Sequence, residues 1–221
     1  MAPPRTRDFH PNQLRQLVKR GLDAVVPLRM LVSRGDPSLR EVYLTFDDGP
    51  HPENTPRVLD ALRELGAHGT FFVVGVIAEK HPDLVRRIVA EGHALGHHSY
   101  YHRNPKSTST LGLIGEVRAT RRLLRRIAGT RPTLFRPPLG ALTAAKTVAL
   151  WGARQTIVLW SIDPRDYAAS SPAELTEWFD RHPLEAGDVV LLHDTSPHTP
   201  EALAHIVARG RERGLSFVRM Q

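Results

Sequence analysis

The chain contains no cysteine among its 221 residues. That absence removes disulfide frameworks, thiolate zinc sites and cysteine nucleophiles together, so any metal site must be built from His, Asp or Glu. Aromatic residues are also sparse, at 6% of the chain, and no basic strand interleaves them in the way that stacks nucleobases, so nucleic-acid binding is not expected. Long apolar runs are missing as well. The most apolar stretch, Leu22 to Val32, is interrupted by Asp23, Pro27 and Arg29 and falls far short of the ~20 residues that span a bilayer. The N-terminus lacks the compact apolar core of a signal peptide, which points to a soluble, cytoplasmic chain.

What is present is an ordinary globular composition with an excess of cations. Thirty Lys and Arg stand against 23 Asp and Glu, a net charge of +7, and there are twelve histidines. The charge suits an anionic partner without choosing one. Residues 12–26 place Leu14, Leu17, Val18, Leu22 and Val25 at helical spacing, so residues 1–38 read as an N-terminal extension with an amphipathic helix, and 39–221 as the catalytic domain. In that domain, strand patterns at 41–46, 70–74, 94–97, 133–136, 156–160, 188–192 and 215–218 alternate with helical ones at 56–65, 83–91, 111–127, 143–151, 173–179 and 201–213. Such alternation implies a parallel α/β sheet with right-handed crossovers.

The chemistry-bearing residues collect at the ends of those strands. Thr45-Phe46-Asp47-Asp48-Gly49-Pro50 puts two carboxylates after an apolar strand; one can ligate a metal while the other serves as a base. Four histidines follow within ten residues, His93, His97, His98 and His102. The pair His98 and His102 lies beyond the strand end, where a turn can aim both imidazoles at one ion, whereas extension separates His93 from His97, which read as ordinary structural residues. Two histidines and a carboxylate form the ligand set of a catalytic Zn²⁺ or a similar divalent ion. Phe135 to Gly140, Trp160 to Tyr167 and Leu191 to Asp194 supply an arginine, further acids and another histidine after later strands. Only a closed barrel brings that many strand ends to one mouth.

In this order the motifs resemble those of the NodB-homology polysaccharide deacetylases, carbohydrate esterase family 4, from about Glu41 to the C-terminus. The resemblance implies a distorted (β/α)₇ barrel. It implies Asp47 as catalytic base; Asp48, His98 and His102 as metal ligands; Arg136 as the residue orienting Asp47; and the Leu139 amide as oxyanion donor. Asp166 would tune His193 as catalytic acid, in a pocket bounded by Leu191. Two positions depart from the family pattern, Leu139 where Tyr is usual and Tyr167 where Trp is frequent, and both are substrate-facing. The implied reaction is release of acetate from an N-acetylglucosamine-type sugar with a divalent metal, Zn²⁺ or alternatively Co²⁺ or Ni²⁺. A metal-dependent amidase acting on a non-sugar amide is the alternative. One more feature stands apart: Arg118, Arg121, Arg122, Arg125 and Arg126 fall on one helix face, a candidate contact with an anionic surface.

Overall fold

A computed structural model describes residues 30–221; the helix expected at 12–26 lies outside them. The described chain runs through β1 (Leu31–Val32), β2 (Glu41–Asp47), α1 (Asn54–Glu64), β3 (Gly69–Val73), α2 (Gly75–Lys80), α3 (Pro82–Ala90) and β4 (Ala94–His97). It continues through α4 (Thr110–Ala128), β5 (Leu134–Phe135), α5 (Ala144–Gly152), β6 (Thr156–Val158), α6 (Pro172–Arg181), β7 (Val189–His193), α7 (Thr199–Glu212) and β8 (Ser216–Phe217). No described helix is long and apolar enough to cross a membrane.

The sheet has eight strands in the order β1-β6-β5-β4-β3-β2-β7, with β8 attached to β2. Every ladder between named strands is parallel. The ends of the sheet meet through the bridges Ile162↔Val190 and Arg34↔Asp188, so the sheet curls into the distorted barrel that the alternating pattern implied. Two details differ from the sequence reading. Leu31–Val32, within the segment expected to be an extension, adds an edge strand because Met30 and Val32 carbonyls accept from Ile157 and Leu159 amides. The 215–218 strand does not take a place in the barrel series but pairs with the first residues of β2.

Burial explains the strand sequences. All of β3 is buried, as are the last four residues of β2, and a parallel sheet covered on both faces requires such continuous runs. Leu44, Phe46, Phe71, Val190 and Leu192 share the main core with Val58, Leu59 and Leu62 of α1 and Leu203, Ile206 and Val207 of α7. Side-chain caps fix where helices start: Ser109, Thr143 and Ser171 accept from the Gly112, Lys146 and Glu174 amides, satisfying donors that a helix leaves unpaired. Because each helix returns antiparallel to its strand, the N-terminus of α4 lies at the mouth formed by the C-terminal strand ends.

Candidate active site

The mouth is assembled by strand register. Asp47 lies opposite Phe72 on one side and His193 on the other, while His97 is level with both Val73 and Phe135. The last residues of β2 and β7, Asp47 and His193, are therefore level with each other, and Asp48, His98 and Arg136 follow directly after β2, β4 and β5.

Asp48, His98 and His102 bring their ligand atoms within 4.8 Å of one another. His102 Nε2 is 3.1 Å and His98 Nε2 3.6 Å from Asp48 Oδ1. His98 Nδ1 lies 2.7 Å from the Arg136 carbonyl; a carbonyl only accepts, so the proton sits on Nδ1 and the Nε2 lone pair faces Asp48. Asp48 Oδ1 is buried and accepts no hydrogen bond. A buried anionic oxygen without a donor, faced by two imidazole nitrogens, is chemically incomplete. This set fits a divalent cation. Burial opposes ionisation of Asp48, but His102 and the neighbouring His98 and His193 outweigh it and hold the carboxyl at about 2. Burial pushes His98 down, whereas Asp48 raises His102. Asp48 and His102 adopt left-handed backbone, with φ of 74° and 54°, conformations that cost about 1–3 kcal/mol unless surroundings enforce them.

Asp47 stands to one side. Its Oδ1 accepts from Arg136 Nη1 at 2.7 Å, and its Oδ2 is 3.7 Å from His98 Nε2. Arg136 is fully buried, yet its donors are used: Nη1 also reaches Thr45 Oγ1, Nη2 the Leu159 carbonyl and Nε the Val158 carbonyl. Phe72 lies 4.2 Å beneath the guanidinium. Burial lowers the arginine's affinity for its proton and Asp47 opposes this.

His193 stands on the other side. Its Nδ1 is 2.7 Å from Asp166 Oδ1, while Asp166 Oδ2 accepts from the His193 amide and Thr199 Oγ1. Nε2 is left for the mouth. Burial works against protonation of His193, but Asp166, then Asp47 and Asp48, raise it to about 9. Tyr167 packs edge-on to the imidazole at 5.1 Å between centroids. Tyr167 and Leu139 are both exposed on the rim, whereas Leu191 is buried two residues before His193 on the same face of β7. His93 and His97 are structural here: the first accepts from the Gly69 amide and the second pairs with Gln155 Oε1.

Several supporting residues escaped sequence reasoning. Glu116 of α4 is buried and its Oε2 accepts from the Tyr100 and Tyr101 amides, both at 3.1 Å, so it pins the backbone between His98 and His102. The available signal was a carboxylate on the buried stripe of α4, with Leu113, Val117 and Thr120. Asp194 fills the space beside Gly49 where a Cβ would lie and accepts from Thr55 Oγ1 at 2.5 Å. Glycine after Asp48 is thus required by a close approach.

A parallel barrel whose mouth holds a carboxylate–imidazole cluster, flanked by a carboxylate–arginine pair and a carboxylate–histidine pair, has the groups from which a hydrolase can draw a base, an acid and a place for a cation. The polysaccharide deacetylase family model matches residues 34–155, and the chain belongs to that family. It is 36% identical over 182 residues to a chitooligosaccharide deacetylase from Azorhizobium caulinodans, covering 80% of this chain and 84% of that protein. It is 31% identical over 185 residues to a peptidoglycan-N-acetylmuramic acid deacetylase from Bacillus subtilis, covering 83% of this chain but only 38% of that protein. Among solved structures, a peptidoglycan N-acetylglucosamine deacetylase superposes with a TM-score of 0.83 at 32% identity, over 87% of this chain and 91% of that one.

Proposed function

We propose that this chain is a metal-dependent hydrolase that removes N-acetyl groups from N-acetylglucosamine-type sugars and releases acetate. The observation that carries the reading is the placement of Asp47, paired to buried Arg136, and His193, paired to Asp166, on either side of the Asp48–His98–His102 cluster.

Two imidazoles and one carboxylate suit Zn²⁺, with Co²⁺ and Ni²⁺ as alternatives. When bound, the cation supplies Lewis acidity to the acetamide carbonyl and makes water a stronger acid. Asp47 accepts the proton of the attacking water. Arg136 fixes the direction of the carboxylate by the 2.7 Å contact to Oδ1. As water oxygen bonds to the carbonyl carbon, negative charge builds on the carbonyl oxygen, and the Leu139 amide donates to it. Leu139 is held in the left-handed region, with φ of 58°, which turns the chain sharply at the mouth. His193, which Asp166 shifts toward the protonated form against the effect of burial, gives its Nε2 proton to the departing sugar nitrogen as the carbon–nitrogen bond breaks. Acetate and a free amino sugar result.

The test is acetate release from N-acetylglucosamine oligomers by protein stripped with EDTA and reloaded with Zn²⁺ or Co²⁺. Restoration by the metal is expected. Hydrolysis of small non-sugar amides with no acetate from the oligomers would replace this reading by the amidase one.

A further inference from the structure

A groove of about 650 Å³ opens beside the ligand loop, between α2 and α4. Tyr101 and Arg103, the chain neighbours of His102, form its upper wall, and Arg122 and Arg126 of α4 line it further from the mouth. Its two acids are already committed. Glu116 is buried under the Tyr100 and Tyr101 amides, and Glu79 accepts from the Tyr100 hydroxyl at 2.7 Å. Arg103 stacks over Tyr101 at 4.5 Å, and its ion-pair distance to Glu116 is a long 3.9 Å. Arg126 stands 3.7 Å from Glu79 with 72% of its side chain exposed. Among the described residues Arg122 has no ion pair or hydrogen bond.

The surrounding surface adds charge of the same sign. At helical spacing, Arg118, Arg122 and Arg125 share the exposed stripe of α4 with Arg126, and the only acid on that helix is buried Glu116. Arg121 departs from the sequence reading: it is half-buried, with an unpartnered Nε. Gly115, in the middle of α4, also lines the groove, and a Cβ there would meet nothing within 4 Å. A glycine inside a helix is unfavourable relative to alanine; here it keeps the groove open.

We propose that this groove receives an anionic group, a carboxylate or a phosphate, carried by the substrate glycan beside the sugar that loses its acetyl group. The inference rests on the deacetylase reading. Planar guanidinium groups grip such oxyanions through paired donors, and Arg118 and Arg125 lie close enough for their field to add.

The experiment compares N-acetylglucosamine tetramers that are neutral, that carry one terminal carboxylate, or that carry one terminal phosphate. For the wild type, kcat/KM is expected to be about tenfold higher for an acidic tetramer at low salt, through KM, and to converge with the neutral value at high salt. The two acidic tetramers separate carboxylate from phosphate recognition. Arg122→Glu with Arg126→Glu should abolish the preference, and so should Gly115→Leu, which fills the groove while favouring the helix and should not lower the melting temperature. Calorimetric binding of the acidic tetramers to metal-free protein reads the groove without turnover. Equal affinity for acidic and neutral tetramers overturns the groove proposal while leaving deacetylation intact. Absence of acetate from every tetramer, with binding preserved, overturns the deacetylase reading instead. Charge-dependent binding to phosphatidylglycerol vesicles without any preference among tetramers overturns the groove in favour of a membrane surface.

Discussion

The two flanks of the site are built from the same interaction under opposite conditions. Asp47–Arg136 and Asp166–His193 are both 2.7 Å ion pairs, yet the arginine is fully buried and the histidine side chain keeps 12% of its exposure at the mouth. A base must stay ionised and must not receive its proton from its own partner. Arg suits that role because it remains charged even when burial lowers its affinity for the proton. An acid must hold a proton and then release it, which calls for a titratable group whose partner raises it only part of the way. The difference teaches that the flanks are distinguished by the partner's chemistry and burial, since the carboxylates alone look alike.

The largest effects are expected on the buried flank. Replacing Arg136 with Met leaves the buried Asp47 carboxylate without its 2.7 Å partner, while the Thr45 hydroxyl keeps its bond to the Val190 carbonyl; losing one partner of a buried pair costs about 3–5 kcal/mol. Urea denaturation should show that loss, whereas Asp166→Asn should show a smaller one, since His193 can shed its proton. Equal destabilisation would break the comparison. On the same flank, Asp47→Asn should lower kcat by about 10²- to 10⁴-fold while elemental analysis finds metal near wild-type levels. Asp48→Ala, by contrast, should lose metal and activity together, because it removes the only carboxylate of the cluster. If Asp47→Asn is the metal-free variant, the two aspartates have exchanged roles.

The mouth flank is tested by pH. His193 in the metal-free protein is raised from its ordinary value to about 9. A histidine raised on folding stabilises fully at pH below its unfolded value near 6.5 and loses that contribution as pH rises through about 9. Stability measured across that window should therefore decline, and in Asp166→Asn the decline should vanish. Imidazole titration followed by NMR should move toward lower pH in the same variant. A bound cation adds repulsion, so the alkaline limb of activity falls at or below about 9. A limb that stays in place in Asp166→Asn would mean that His193 is not the acid.

The same contrast explains what could be read from sequence. Asp47, Asp48, His98, His102, Arg136 and His193 all follow apolar strand patterns, and a parallel barrel turns such positions toward one mouth, so spacing along the chain became proximity in space. Thr199 and Thr55 carried no signal in the sequence because each is an ordinary helix-start residue whose partner, Asp166 or Asp194, is distant along the chain. The edge strand Leu31–Val32 is too short to show alternation. Short β5 was expected to reach from 133 to 136 but spans only Leu134–Phe135: the Arg136 amide still donates to the His97 carbonyl, and the two prolines that follow have no amide with which to extend the ladder. Burial decided these cases, and burial is a property of the assembled barrel.

Between the flanks, Glu116 tests whether buried support matters for the ligand loop as it does for Asp47. Its Oε2 serves both the Tyr100 and Tyr101 amides, two donors that hold the turn between His98 and His102, while Ser99 Oγ accepts from the His102 amide at 3.0 Å. Glu116→Gln retains an oxygen in that place and should change metal affinity little. Glu116→Ala strands two amides and frees a loop that contains the left-handed residues Ser99 and His102, so metal affinity should fall by about 10- to 100-fold, the range typical of lost outer-shell support. Equilibrium dialysis with Co²⁺ reads this directly. Arg103→Ala is the exposed counterpart: it reaches Glu116 only at 3.9 Å and should leave metal affinity unchanged. If Glu116→Ala binds Co²⁺ as tightly as wild type, the loop is held by its own backbone geometry and burial is not what orders the ligand set.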